Sequence, residues 1–167
     1  IINKFKGSVL QNYLKSLYEG GLRISIKEQK IKQGLGKNNI GKNNIVSEFI
    51  KSKSIDLESI FNKPENNFIS DTYYSLQIDK IINSNLCSLS GGELQRLLCW
   101  ITATVKSDVY IFDEPSNFLD VKQRLEVSKL IKSISETNPG SYVIVIEHDL
   151  SILDYISDEL YIMYGKA

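Results

Sequence analysis

Residues Leu89–Asp120 read LSGGELQRLLCWITATVKSDVYIFDEPSNFLD. Two pieces of this stretch carry chemistry: Leu89-Ser90-Gly91-Gly92-Glu93, and Val109–Pro115. Ser90 and Glu93 have the S-x-x-E spacing of a capping box, with Leu89 and Leu94 where a hydrophobic staple would sit. Leu94, Leu97, Leu98, Ile101 and Val105 then recur on one helical face. Cys99 and Trp100 widen that face, which predicts a largely buried helix. The plain reading is a well-capped helix. The functional reading uses the same geometry, because free N–H groups and the dipole at a helix start attract an anion. Gly91 and Gly92 would let a phosphate approach the backbone.

The second piece is a short apolar run, Val109-Tyr110-Ile111-Phe112, the pattern of a buried strand. Asp113 and Glu114 follow at its end, and Pro115 stops the ladder. Carboxylates at the C-terminal end of a strand stand where open α/β sheets bind ligands. One can hold magnesium through water and the other can orient a nucleophilic water. A solvated acidic turn is the plain alternative.

Downstream, Asp120 and Gln123 fit another cap, and Val127, Leu130, Ile131 and Ile134 form one helical face. Asn138-Pro139-Gly140 is a turn. Tyr142–Ile146 reads as a β-branched strand that delivers Glu147 and His148, the only histidine. Ser151–Ile156 reads as a short helix, and the alternation of Leu160, Ile162 and Tyr164 predicts a final strand over 159–164. Strand, helix, strand, helix, strand implies a largely parallel α/β sheet.

Upstream, Ser8 and Gln11 form a further box ahead of a helix ending at Gly20-Gly21. Leu22, Ile24 and Ile26 alternate as a strand. Val46, Phe49 and Ile50 suggest a short helix, Ser54–Asn67 is polar, and Thr72–Asn83 is predicted helical. Residues 36–45, GKNNIGKNNI, are a tandem repeat. Gly36–Asn43 imitates G-x-x-x-x-G-K but offers Asn43 where a phosphate-binding loop needs Ser or Thr. The Lys-rich residues before it are no buried strand, so a low-complexity insertion is the better reading.

Composition is that of a soluble globular domain, 42% apolar and 24% charged. No apolar run approaches the ~20 residues of a transmembrane helix. Net charge is zero but uneven: residues 1–53 hold 11 Lys/Arg against 3 Asp/Glu, a balance of +8, and the remainder balances at −8. A basic half could touch nucleic acid, whereas a solvated Lys- and Asn-rich loop is the simpler account. Cys87 and Cys99 have no metal-binding spacing and read as reduced.

The order LSGGE, apolar strand ending Asp113-Glu114-Pro115, Ser116–Asp120, then Glu147-His148-Asp149 resembles an ATP-binding-cassette ATPase. Residues 3–17, 114–131 and 142–166 look like its E subfamily, the soluble twin-cassette RNase L inhibitor or ribosome-recycling family, and its first nucleotide-binding domain in particular. The resemblance fails between about Gln33 and Phe68. It implies a P-loop NTPase-like α/β nucleotide-binding domain, incomplete because the Walker A strand and loop are missing, with a helical signature subdomain. Residues 33–68 would be insertion and variable loop, 69–106 the helical subdomain, and 107–167 the Walker B and switch part.

The resemblance also assigns roles. Asp113 would position Mg2+, with Gln29 reaching the metal and the attacking water, although Glu28 and Lys30 replace the usual neighbours of that glutamine. Glu114 would polarise the water and His148 would contact the γ-phosphate of ATP. Ser90, Gly91, Gly92 and Glu93 would form the signature loop against nucleotide on the opposite cassette, and Asp120 would link the two sites. Partners would be a second cassette, the ribosome and translation termination factors, in the cytoplasm and without a membrane. Iron–sulfur clusters belong to a separate region of such proteins, absent here. A start at Ile-Ile-Asn suggests a fragment, expected not to bind or hydrolyse ATP alone and to expose sheet edge and core surface. A transporter ATPase subunit, or a binding module without its P-loop, remains open on sequence.

Overall fold

The computed structural model describes residues 20–28, 45–62 and 67–162. Strands β1 (Ile24–Lys27), β2 (Val109–Asp113) and β3 (Tyr142–Ile146) form one sheet in that order, all parallel. The helices are α1 (Val46–Ser52), α2 (Leu57–Asn62), α3 (Asn67–Ser75), α4 (Ile78–Ile81), α5 (Gly91–Thr104), α6 (Val121–Thr137) and α7 (Leu150–Ile156). A 3-10 turn, Leu86–Ser88, precedes α5.

Helix α5 begins as its sequence predicts. The Ser90 hydroxyl accepts from the Glu93 amide, and the Glu93 carboxylate accepts from the Ser90 amide at 2.8 Å. Its body from Leu94 to Ala103 is buried throughout. Helix α6 repeats the arrangement with Asp120 and Gln123. The sheet is pleated, so alternate residues face opposite sides. Tyr110 and Phe112 point into a core shared with Leu97, Trp100, Val127 and Leu130. On the other face Ile24, Ile26, Tyr142, Ile144 and Ile146 are exposed, matching the expectation of uncovered core surface.

Three expectations change. The predicted helix over Thr72–Asn83 is two helices that start earlier and break at Gln77, whose backbone is left-handed (φ 58°). The break brings the Gln77 side-chain amide oxygen Oε1 within 3.2 Å of the Arg96 guanidinium on α5, which donates to it, a tertiary contact that helical periodicity does not encode. The polar stretch after Ser54 contains α2, and Ile55 and Ile60 join the core beside Val46, Phe49 and Ile50. Of the strand expected over 159–164, residues 159–162 form no strand and Leu160, Tyr161 and Ile162 are exposed, while 163–164 lie outside the described residues. The expected helix over 8–18, Gln29 and GKNNI up to Asn44 lie outside the described residues.

Candidate functional site

The parallel register decides what meets at the sheet's C-terminal rim. Asp113 pairs with Ile146, so β2 and β3 end level. Glu114 then follows one strand, and Glu147 and His148 follow the other. The Glu114 amide donates to the Ile146 carbonyl at 2.8 Å, after which the chain turns with Glu114 left-handed (φ 49°). A non-glycine residue there costs about 1–3 kcal/mol and needs surrounding contacts to hold it. The turn aims the Glu114 carboxylate at His148, with Oε1 and Nε2 2.9 Å apart. The contact is an ion pair when the imidazole is protonated. The other carboxylate oxygen accepts from the Asn117 side chain.

Glu147 stitches the same rim. Its carboxylate accepts from the Ser116 amide (3.2 Å) on the loop after β2 and from the His148 amide (2.8 Å). Asp113 is half-buried and makes no hydrogen bond through its carboxylate to a described residue. Among the described residues that leaves an oxygen donor uncommitted at the strand end. Magnesium takes one or two carboxylates, several waters and phosphate oxygens rather than an all-protein cage. Among the described residues no group of three or more His, Cys, Asp or Glu side chains could hold a metal ion by itself.

The signature segment lies beside this rim. A Cβ on Gly92 would stand 2.9 Å from the Phe118 carbonyl oxygen, and one on Gly91 3.3 Å from the Phe118 ring. The two glycines therefore admit the loop after β2, a reason additional to phosphate access. Phe118 itself is left-handed (φ 63°) and 70% exposed. Within the chain, Glu93 accepts from both the amide and the hydroxyl of Ser90, and these bonds hold its carboxyl below the usual carboxylate range. The Asp120 carboxylate caps α6 by accepting from the Gln123 amide at 2.8 Å.

The structure thus brings together Asp113, Glu114 and His148, and places Ser90–Glu93 and Asp120 around the loop that joins them. Asn117 and the bridging of Glu147 were not foreseen. Nor was Lys27, whose side chain reaches under the rim to the Asp113 carbonyl at 2.6 Å and the Glu114 carbonyl at 3.1 Å. Burial holds its ammonium below the usual lysine range, partly offset by Cys99 and by the charges of Asp113, Glu114 and Glu147. Cys99 is buried as expected, its thiol pushed up to about 12 by that burial. A lysine at the end of an apolar strand was the available signal for the first of these.

This fold is part of an ATP-binding-cassette nucleotide-binding domain, with carboxylates at the C-terminal rim of a parallel sheet and a capped helix packed against that sheet. No protein-family model matches the chain. Among curated proteins it is 41% identical over 166 residues to translation initiation factor RLI1 of Chaetomium thermophilum, covering 99% of this chain and 25% of that protein. Among solved structures it resembles an RNase-L Inhibitor, with TM-score 0.79, 33% identity, 99% of this chain and 29% of that one. It also resembles a chain of an archaeal ribosome-bound assembly of Pelota and ABCE1, with TM-score 0.78, 35% identity, 99% of this chain and 25% of that one. The chain is similar over nearly its whole length to members of this E family of ATP-binding-cassette proteins and spans about a quarter of the length of the relatives it matches. Among the described residues no helix is long and apolar enough to cross a membrane.

Proposed function

We propose that the chain forms the catalytic edge of a nucleotide-binding domain, the first of two, in a protein that couples ATP binding and hydrolysis to the splitting of ribosomal subunits in the cytoplasm. The observation that carries the reading is the 2.9 Å contact between Glu114 and His148, delivered by two parallel strands that end level. A carboxylate held by an imidazole beside a carboxylate that has no partner among the described residues suits water activation at a γ-phosphate. Asp113 would hold the magnesium ion, with Gln29 as a further oxygen donor, and the ion would neutralise charge on the phosphates. Glu114 would orient the water, and His148 would contact the γ-phosphate.

Ser90, Gly91, Gly92 and Glu93 would face nucleotide bound to the other cassette, and Asp120 would communicate between the two sites. No Walker A sequence with its Ser or Thr stands in these 167 residues, so the main phosphate cradle would come from elsewhere in the protein and this chain alone would be inactive. The translation-factor and ribosome-bound relatives support ribosome and termination factors as partners rather than a membrane permease. In the full-length protein, Glu114→Gln should lower ATP turnover by orders of magnitude and spare ATP binding. Turnover near that of the parent would overturn the assignment.

A further inference from the structure

Lys27 occupies a position that the sheet reserves for core. Its register partners across the sheet are Phe112 and, beyond it, Val145. It is only 2% exposed. A buried ammonium is costly unless its hydrogens are bonded. Here they go to backbone carbonyls, Asp113 at 2.6 Å and Glu114 at 3.1 Å, and among the described residues no carboxylate lies within ion-pair distance. The Glu114 carbonyl has a second buried donor, the Gln95 side-chain amide at 2.7 Å. Gln95 is wholly buried on α5, and its Oε1 has no partner among the described residues. Its orientation is fixed all the same, because the reversed amide would set oxygen against oxygen.

Two buried side chains from different elements therefore converge on the carbonyl of Glu114, a non-glycine residue with a left-handed backbone. We infer that Lys27 and Gln95 form a clamp on the Asp113–Glu114 backbone that holds the strained turn and so positions the Glu114 carboxylate against His148. Both are positioning residues. The inference rests on Glu114 being the residue that orients water. It explains why a lysine and a glutamine stand where packing alone would place apolar side chains. It also joins β1 and the signature helix to Glu114 through hydrogen bonds.

The test uses the full-length protein with Lys27→Met, Gln95→Met, Glu114→Gln and the double variants. Lys27→Met should lower kcat at least about tenfold with KM for Mg-ATP within about twofold, since only orientation at the reacting centre is lost. Gln95→Met, which removes one of two donors to the same carbonyl, should lower kcat by a smaller factor of about three. In the Glu114→Gln background neither change should lower the residual rate further. A structural defect would instead lower both backgrounds alike and raise KM, and that result would overturn the clamp. Parent-like kcat in either single variant would also overturn it, and Gln95→Met decides alone if Lys27→Met does not fold. Parent-like turnover by Glu114→Gln would instead sink the reading of Glu114, a distinct outcome.

Discussion

Helices α5 and α6 start with the same device and are held in opposite ways. Both have complete capping boxes, yet the charge sits at different places. In α6 the N-cap itself is a carboxylate, Asp120, which lies on the positive end of the helix dipole. In α5 the N-cap is the Ser90 hydroxyl, and the carboxylate is Glu93, one turn inside and folded back. The surroundings differ as well. Helix α6 opens with exposed Val121, whereas the first two residues of α5 are glycines pressed against Phe118. The comparison teaches that LSGG is first an intrachain joint. It seats the loop after β2, which carries Glu114, before any phosphate arrives.

The sharpest way to break this comparison is to add a methyl group at each glycine. At Gly92 the new Cβ meets a backbone oxygen at 2.9 Å, which cannot rotate away. Gly92→Ala should destabilise the chain by about 1–3 kcal/mol in urea unfolding, the usual cost of overpacking. At Gly91 the neighbour is the exposed Phe118 ring at 3.3 Å, which can swing aside. Gly91→Ala should then be near neutral, helped by the roughly 0.5–1 kcal/mol that alanine gains over glycine in a helix. Equal losses at both positions would show that Phe118 does not seat on α5 as described.

The caps give a middle-sized effect. Ser90→Ala and Asp120→Ala should each lose about 1 kcal/mol, read as faster amide hydrogen exchange in the first turn of α5 or α6 respectively. Asp120→Asn keeps an oxygen on the Gln123 amide and should restore exchange protection at α6. If Asp120 also communicates between nucleotide sites through its charge, Asp120→Asn will still slow ATP turnover in the full-length protein. Normal turnover with normal protection would leave Asp120 with the capping task alone.

The elements that could be read in the sequence are those with local causes. Ser90, Glu93, Asp120 and Gln123 announce two helix starts, and the apolar runs at 109–112 and 142–146 announce two strands. Because both runs end in charged residues, the pairing of Glu114 with His148 follows once the strands are parallel. What could not be read depends on partners far along the chain. Gln77 breaks a helix toward Arg96, 19 residues away. Lys27 looks like a surface lysine until β2 places two carbonyls above it, 86 and 87 residues on. Glu147 reads as a companion of His148, and only the fold reveals that it holds Ser116. Leu160 and Ile162 show the converse, an alternating pattern that joins no strand of the sheet among the described residues.

The smallest effect concerns Glu93, the carboxylate inside the first turn of α5. Hydrogen bonds from the Ser90 side chain and backbone hold the Glu93 carboxyl below the usual carboxylate range. A carboxylate with a depressed folded pKa adds stability that is present above the unfolded value and lost as pH falls through the folded one. Exchange protection in the first turn of α5 should accordingly hold from neutral pH to about 5 and then decline as the medium is acidified further. Glu93→Gln can still accept from Ser90, so protection at neutral pH should stay close to the parent's while the acid decline specific to this turn disappears. Water screens a group this exposed, so the difference should not exceed about 0.5 kcal/mol. A decline that persists unchanged in Glu93→Gln would move the acid sensitivity of α5 to another carboxyl and remove Glu93 from the contrast between the two helix starts.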